Sequence, residues 1–557
     1  MDLKILQNPN YFTNLSLNEL KTACNEIRGK IINVVSDKGG YLSSNLSIVE
    51  ITAALYKVFN DTDKIVYSGP NTNYANRFIN GLEMLNEEYN NALSNSLGLA
   101  ISRDINHDNY NVISVINSDS AFSNSNFEAL NNISLEHRKM IIVFNDDTSI
   151  DKGIGIVDKF ISNIRNTKTY TNIKDNVKDF IRPQKGGDKI IEGIHNLKSN
   201  IKKAVVNEGV FKEYNIDYIG PIDGHNLDEL VRAFDIAKTK EYPCVVHCIT
   251  TKGKGYVYAE SNTNEAWYKT CPFDIKTGKK FIEESDEYKS CIKLISESLL
   301  NLMNTNDKLI IVSPDNKNEF KLTQLFAKHP DRCYDSGQGI NNGIGFACGF
   351  SLDDKIPVIC LKSSNLNRGY DTICKQVDNL NKPFILFLNR DCDDDLPLLN
   401  SLENSIIFNI SNYDDIDKIL LNAIESKHPY IIRYTNNLFK INNQDNTNEI
   451  NVGKWDIVAN NDVMDIAIIT DGQNVDNLNK LIIDNDYKYK LINSNYINPI
   501  DLTCIDYLNK INKIYLYKCS ATSKILKYLI NNKNTIKIID DIDTKEFFNS
   551  IETDINA

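Results

Sequence analysis

"VISVINSDSAFSNSNFEALNN" spans residues 112–132, and "MIIVFNDDTSI" follows at 140–150. Two apolar runs of strand length flank a helical pattern, and each run ends on polar residues. Continuous apolar character marks strands covered on both faces, and strands separated by helices form parallel sheets. The frame therefore predicts an α/β unit whose first strand enters a turn at Ser118-Asp119-Ser120 and whose second ends at Asn145. Glycines at such a turn would let the backbone approach a phosphate. This chain carries serine on both sides of Asp119.

The same alternation extends outward. "YPCVVHCIT" (242–250) reads as another buried strand, and "KLIIVSP", "PVICLKSS", "PFILFLNR" and "PYIIRYT" form a second set from about 292 onward. "GIGFACGFSL" (343–352) has small residues at helical spacing, which suits close helix packing. The polar stretch "NNQDNTNEINVGKW" (442–455) reads as a linker. Beyond it "DIAIITDG", "YKLINSNYINP" and "KIYLYKC" make a third, smaller α/β set. Three successive α/β domains are expected.

Bulk properties agree. A chain of 557 residues is too long for one ordinary core. With 41% hydrophobic and 24% charged residues, it has a globular composition. A formal net charge of −12 argues against broad nucleic-acid binding, which needs a basic footprint. No basic segment leads into an apolar run at the start, and no stretch has the apolar length to cross a bilayer. The 12 cysteines are scattered without a C-x-x-C motif, as buried thiols in a reducing compartment are. No membrane association and a cytoplasmic location are expected.

Several segments carry a resemblance. "GGYLSSNLSIVEITAALYKVFN" (39–60), "YIGPIDGHNLDELVRAF" (218–234), "TTKGKGYVYAE" (250–260), "WYKTCPFDIKTGK" (267–279), "HPDRCYDSG" (329–337) and "NRGYDTICKQVDNLNKPFILF" (367–387) resemble, in order, the 1-deoxy-D-xylulose-5-phosphate synthase family of the transketolase group. The resemblance implies two parallel-sheet domains of the type that binds thiamine diphosphate and Mg2+. It places them at 1–290 (diphosphate side) and 292–437 (pyrimidine side), with a smaller transketolase C-terminal-type domain at 450–557. The implied reaction condenses pyruvate with glyceraldehyde 3-phosphate, with loss of carbon dioxide, toward isoprenoid, thiamine and pyridoxal precursors. It also implies a homodimer.

Carried over residue by residue, the resemblance exposes departures. Family members place a glutamate against the aminopyrimidine ring of the cofactor, whose own thiazolium carbon does the chemistry; Ile340 stands at that position. Five histidine positions carry Tyr41, Asn71, Glu88, Tyr268 and Asn342. Of these, Asn cannot titrate, and Tyr does so far above neutral pH. Asp119 and Asn145 match the metal ligands, and Ser120 stands with Ser118 where glycines would face the diphosphate. The residues alone fit a helix cap and a strand end equally well. Lys252 matches a lysine near the cofactor. Arg368, Arg390 and Arg433 match arginines on the acceptor-phosphate side, where a guanidinium fork grips phosphate; surface or interdomain ion pairs are the alternative. His225 is expected in a structural turn, and Asp391, Asp393, Asp394 and Asp395 in a solvated loop. Two loops of the family pattern are shortened. Two readings stand: a working synthase with a rebuilt site, or a noncatalytic regulatory or structural member pairing with an intact synthase. The second is the expectation.

Overall fold

The computed structural model describes residues 2–69, 71–85, 91–118, 124–147, 211, 214–261, 266–281, 284–285, 288–315, 317–337, 339–390, 395–412, 415–435, 438–440, 450–460, 465–529, 535–540 and 543–556. The chain parts into two compact units, Met1–Glu283 and Glu284–Ala557.

The first unit is built on a five-stranded parallel sheet. Its spatial order is Lys64–Tyr67, Val112–Asn117, Ile141–Asp146, Cys244–Ile249, Asp217–Asp223. The strands Val112–Asn117, Ile141–Asp146 and Cys244–Ile249 are buried along their whole length, as their unbroken apolar runs require. One face packs on helices Leu17–Lys38, Val49–Val58 and Leu227–Lys238, and the other on Ala92–Asn106 and Asn124–Glu136. Local chemistry starts the long helix. The Ser16 hydroxyl accepts from the Glu19 N–H, and the Glu19 carboxylate accepts from the Ser16 N–H, a reciprocal cap. Gly39 ends it at φ +76, where a Cβ would sit 2.8 Å from the carbonyl oxygen of Thr270. That close approach lays Gly40–Tyr41 antiparallel on Lys269–Thr270.

Among its described residues the second unit holds a seven-stranded sheet, a five-stranded sheet and a two-stranded pairing of Tyr288–Ser290 with Leu438–Lys440. Seven strands run in the order Cys333–Asp335, Leu309–Ser313, Ile356–Lys362, Phe384–Asn389, Pro429–Tyr434, Ile406–Asn409, Tyr496–Asn498. All pair in parallel except the last, which is antiparallel to Ile406–Asn409. A five-stranded sheet follows, Asp456–Ala459, Lys490–Asn493, Ile466–Thr470, Lys513–Tyr517, Thr535–Ile539, parallel apart from its first strand. The segments 292–437 and 450–557 thus each carry a sheet within one compact unit, and Tyr496–Asn498 passes from the later segment into the earlier sheet. Gly343 closes the helix Ile340–Leu352 onto its neighbours: a Cβ there would fall 2.4 Å from Pro314, while one on Gly349 would meet nothing within 4 Å. Among the described residues, no helix is long and apolar enough to cross a membrane.

Candidate functional site

In the first unit, three polar residues follow one another at the carboxyl end of the central strand, and each is held by a different neighbour. Asn145 donates through Nδ2 to Ser47 Oγ at 3.2 Å and accepts through Oδ1 from the Thr250 hydroxyl at 2.6 Å. Asp146 lies 3.1 Å from His247 Nε2, and His247 Nδ1 lies 2.7 Å from the Tyr218 hydroxyl. Asp147 accepts from Ser44 and from Ser118. All three side chains are fully buried. Buried carboxylates and amides need such partners, because leaving one without a hydrogen bond costs about 1–3 kcal/mol. Strand alternation explains the split. Asn145 and Asp147 project to one face and meet the hydroxyls, while Asp146 projects to the other and meets the imidazole.

Asp119, Ser120 and Glu88 lie outside the described residues. The adjoining Ser118 is described: its hydroxyl turns inward onto the Asp147 carboxylate.

Three of the histidine-position residues meet. Asn71 donates from Nδ2 to the Tyr268 hydroxyl at 3.0 Å, and the Tyr41 and Tyr268 rings pack edge to face with centroids 5.5 Å apart. Lys252 stands 5.3 Å from the Tyr268 ring centroid and Lys269 5.1 Å from that of Tyr41, both within cation–π range. Residues 41, 71, 252 and 268 therefore converge, held by the Gly40–Tyr41 pairing described above and by the bond from Leu42 N–H to the Tyr268 carbonyl.

His225 connects this group to the strand end. Its Nε2 accepts from the Thr251 N–H at 2.9 Å, which leaves Nδ1 to donate to Glu50 Oε2 at 3.0 Å. Glu50 also takes Arg28 at 2.6 Å. Burial by itself would raise the Glu50 carboxyl; Arg28 and His225 outweigh it and hold it down at about 2. The imidazole is a strut fixing the turn 250–252, which carries Thr250 to Asn145 and Lys252 to Tyr268. Glu50 is the residue that sequence reasoning missed. Its only sequence signal was a carboxylate amid the apolar residues of "SIVEITAAL".

In the second unit, Ile340 opens the helix Ile340–Leu352 at 6% exposure. It packs in an apolar cluster with Ile344, Leu361, Leu366 and Ile373, and a Cβ on Gly369 would meet its Cγ2 at 3.1 Å. No hydrogen-bonding side-chain atom stands at this position. Asn342, two residues on, is exposed, and so is Arg368.

Arg390 and Arg433 are internal. Arg433 is 1% exposed and makes a two-pronged pair with Asp395, Nε to Oδ2 at 2.9 Å and the second fork nitrogen to Oδ1 at 2.8 Å. Its remaining nitrogen donates to Asn409 at 3.3 Å and Ser520 at 3.0 Å. Arg390 faces the fully buried Asp471 at 3.4 Å. Asp395 therefore corrects the expectation of a solvated acidic loop: a guanidinium from the neighbouring strand draws it inside. Asp391, Asp393 and Asp394 lie outside the described residues.

A family model described as 1-deoxy-D-xylulose-5-phosphate synthase matches residues 3–90 and 83–250. The 1-deoxy-D-xylulose-5-phosphate synthase of Clostridium acetobutylicum is 30% identical over 531 residues, covering 88% of this chain and 85% of its own. The chain belongs to the 1-deoxy-D-xylulose-5-phosphate synthase family. Synthases of Listeria welshimeri and Clostridium tetani match at 26% and 28% identity over 92% and 89% of this chain, and 87% and 86% of their own. Among solved structures, a Campylobacter jejuni transketolase aligns over 97% of this chain and 96% of its own, at 11% identity and a TM-score of 0.40.

Proposed function

We propose that this chain is a noncatalytic member of the synthase family, which keeps the fold while its site no longer runs thiamine diphosphate chemistry. The observation that carries the reading is Ile340. Family resemblance assigns its position to the carboxylic acid that hydrogen-bonds the aminopyrimidine, and here it is a buried aliphatic side chain in an apolar cluster. A positioned proton-transfer group is worth about 10²–10⁴ in rate, and hydrocarbon supplies none of it.

The first unit supports the same reading. Asn145, matched to a metal ligand, is built into an internal network in which its amide oxygen accepts from Thr250 and its amide nitrogen donates to Ser47. The Ser118 hydroxyl fills space that glycine would leave open, and it is turned onto Asp147. Where imidazoles would transfer protons, Tyr41, Asn71 and Tyr268 engage one another. These contacts support a site that no longer holds thiamine diphosphate and Mg2+ in the family manner, and no catalytic step is assigned to it. The role left to such a chain is that of a regulatory or structural subunit, as a homodimer or paired with an intact synthase.

The test is calorimetry with thiamine diphosphate and Mg2+, followed by a pyruvate decarboxylation assay. We expect neither saturable micromolar binding nor turnover. Measurable turnover by the unaltered chain would overturn the reading. Ile340→Glu should not restore activity on its own, because five further positions also differ.

A further inference from the structure

We propose that Asp471 and Ser520, supplied by the segment beyond residue 450, hold Arg390 and Arg433 in a closed internal lock, so that these arginines bind the chain's own carboxylates and not a phosphate. The inference deepens the function proposed above and rests on it.

The bonds run without a break. Asp395 occupies two prongs of Arg433, and the Ser363 hydroxyl donates to Asp395 Oδ2 at 2.8 Å. The third Arg433 nitrogen donates to Ser520 Oγ at 3.0 Å. Ser520 in turn donates to Asp471, through its hydroxyl at 3.1 Å and its backbone N–H at 2.5 Å. Asp471 faces Arg390, whose own N–H donates to the Tyr434 carbonyl at 2.7 Å, next to Arg433. Two cations and two anions thus close on one another. Gly472, at φ +61, turns the chain so that its Cα side lies against the Arg390 guanidinium; a Cβ there would be 3.7 Å away.

The geometry fits a lock better than a ligand grip. A planar fork takes phosphate through the same paired N–H donors that it offers a carboxylate, and on Arg433 those donors are taken at 1% exposure. Burial pushes the Asp471 carboxyl above its ordinary value despite Arg390, the Ser520 N–H and Arg433. Such a pair contributes little net stability over an apolar equivalent, yet leaving one partner behind is costly. What it fixes is which strand ends face each other.

The experiment uses the full-length chain in three variants, Arg390→Met, Asp471→Leu and the two combined, each unfolded in urea and each titrated with inorganic phosphate against chloride of equal ionic strength. Each single change should raise the unfolding equilibrium constant by about 10- to 100-fold, below the full cost of a buried orphan charge because Arg390 retains 18% side-chain exposure. The double variant should recover most of that loss, and phosphate should bind none of the proteins saturably. Additive losses in the double variant would overturn the lock. So would saturable phosphate binding by the unaltered chain that Arg390→Met abolishes. If a single variant fails to fold while the double variant folds, the lock stands; if none of the three folds, it falls. A chain that decarboxylates pyruvate yet ignores phosphate would sink the proposed function and leave the lock intact.

Discussion

The carboxyl ends of the strands Ile141–Asp146 and Pro429–Tyr434 bury polar groups in opposite ways. The first uses hydroxyls, an amide and an imidazole as partners: Ser44 and Ser118 for Asp147, His247 for Asp146. The second uses full charges, with guanidinium against carboxylate. Hydrogen-bonded networks lose energy in small steps, one bond at a time. Charged ones fail abruptly when one partner goes. The two tryptophans allow the contrast to be measured separately, since Trp267 lies buried in the first unit and Trp455 in the second. A Trp267→Phe or Trp455→Phe background leaves one reporter for each.

The largest effect is expected from Arg433→Met, which leaves Asp395 buried without its guanidinium. Urea unfolding read on Trp455 should show a loss of about 3–5 kcal/mol. His247→Phe tests the first network in a matching way, because it removes the bonds to Asp146 and Tyr218. Trp267 should report about 1–3 kcal/mol. A loss there as large as at Arg433 would erase the contrast.

Acid sharpens it from another side. Glu50 is held at about 2 in the folded chain against an ordinary 4.5, so it contributes stability that is fully present above about 4.5 and lost as pH falls toward about 2. The Trp267 transition should weaken across that window, and Glu50→Gln should flatten the dependence. The smallest change is Tyr268→Phe, which deletes the hydroxyl that accepts from Asn71 and keeps the ring against Tyr41. It should cost about 0.5–1.5 kcal/mol.

Much of the frame was readable in advance. The unbroken apolar runs at 112–117, 141–146 and 244–249 became fully buried parallel strands, because burial on both faces demands that composition. The packing of Gly343 followed from small residues at helical spacing. His225 reads as a strut, as expected of a structural turn, but its tautomer and its tie to Glu50 did not follow from the sequence: Glu50 lies in a distant helix. Asp395 was misread because an acidic run looks solvated until its partner is known.

The sequence alone settled what depends on residue type: parallel α/β construction, family membership, and hydrocarbon at position 340. Those properties belong to local composition and survive any arrangement of the chain. Only the tertiary structure decided that Asp395 faces Arg433, that Asp471 faces Arg390, and that Asn145 is taken by Ser47 and Thr250. Hydrogen bonds and ion pairs depend on distances of a few tenths of an ångström between segments far apart in the chain, and no spacing along the sequence encodes them.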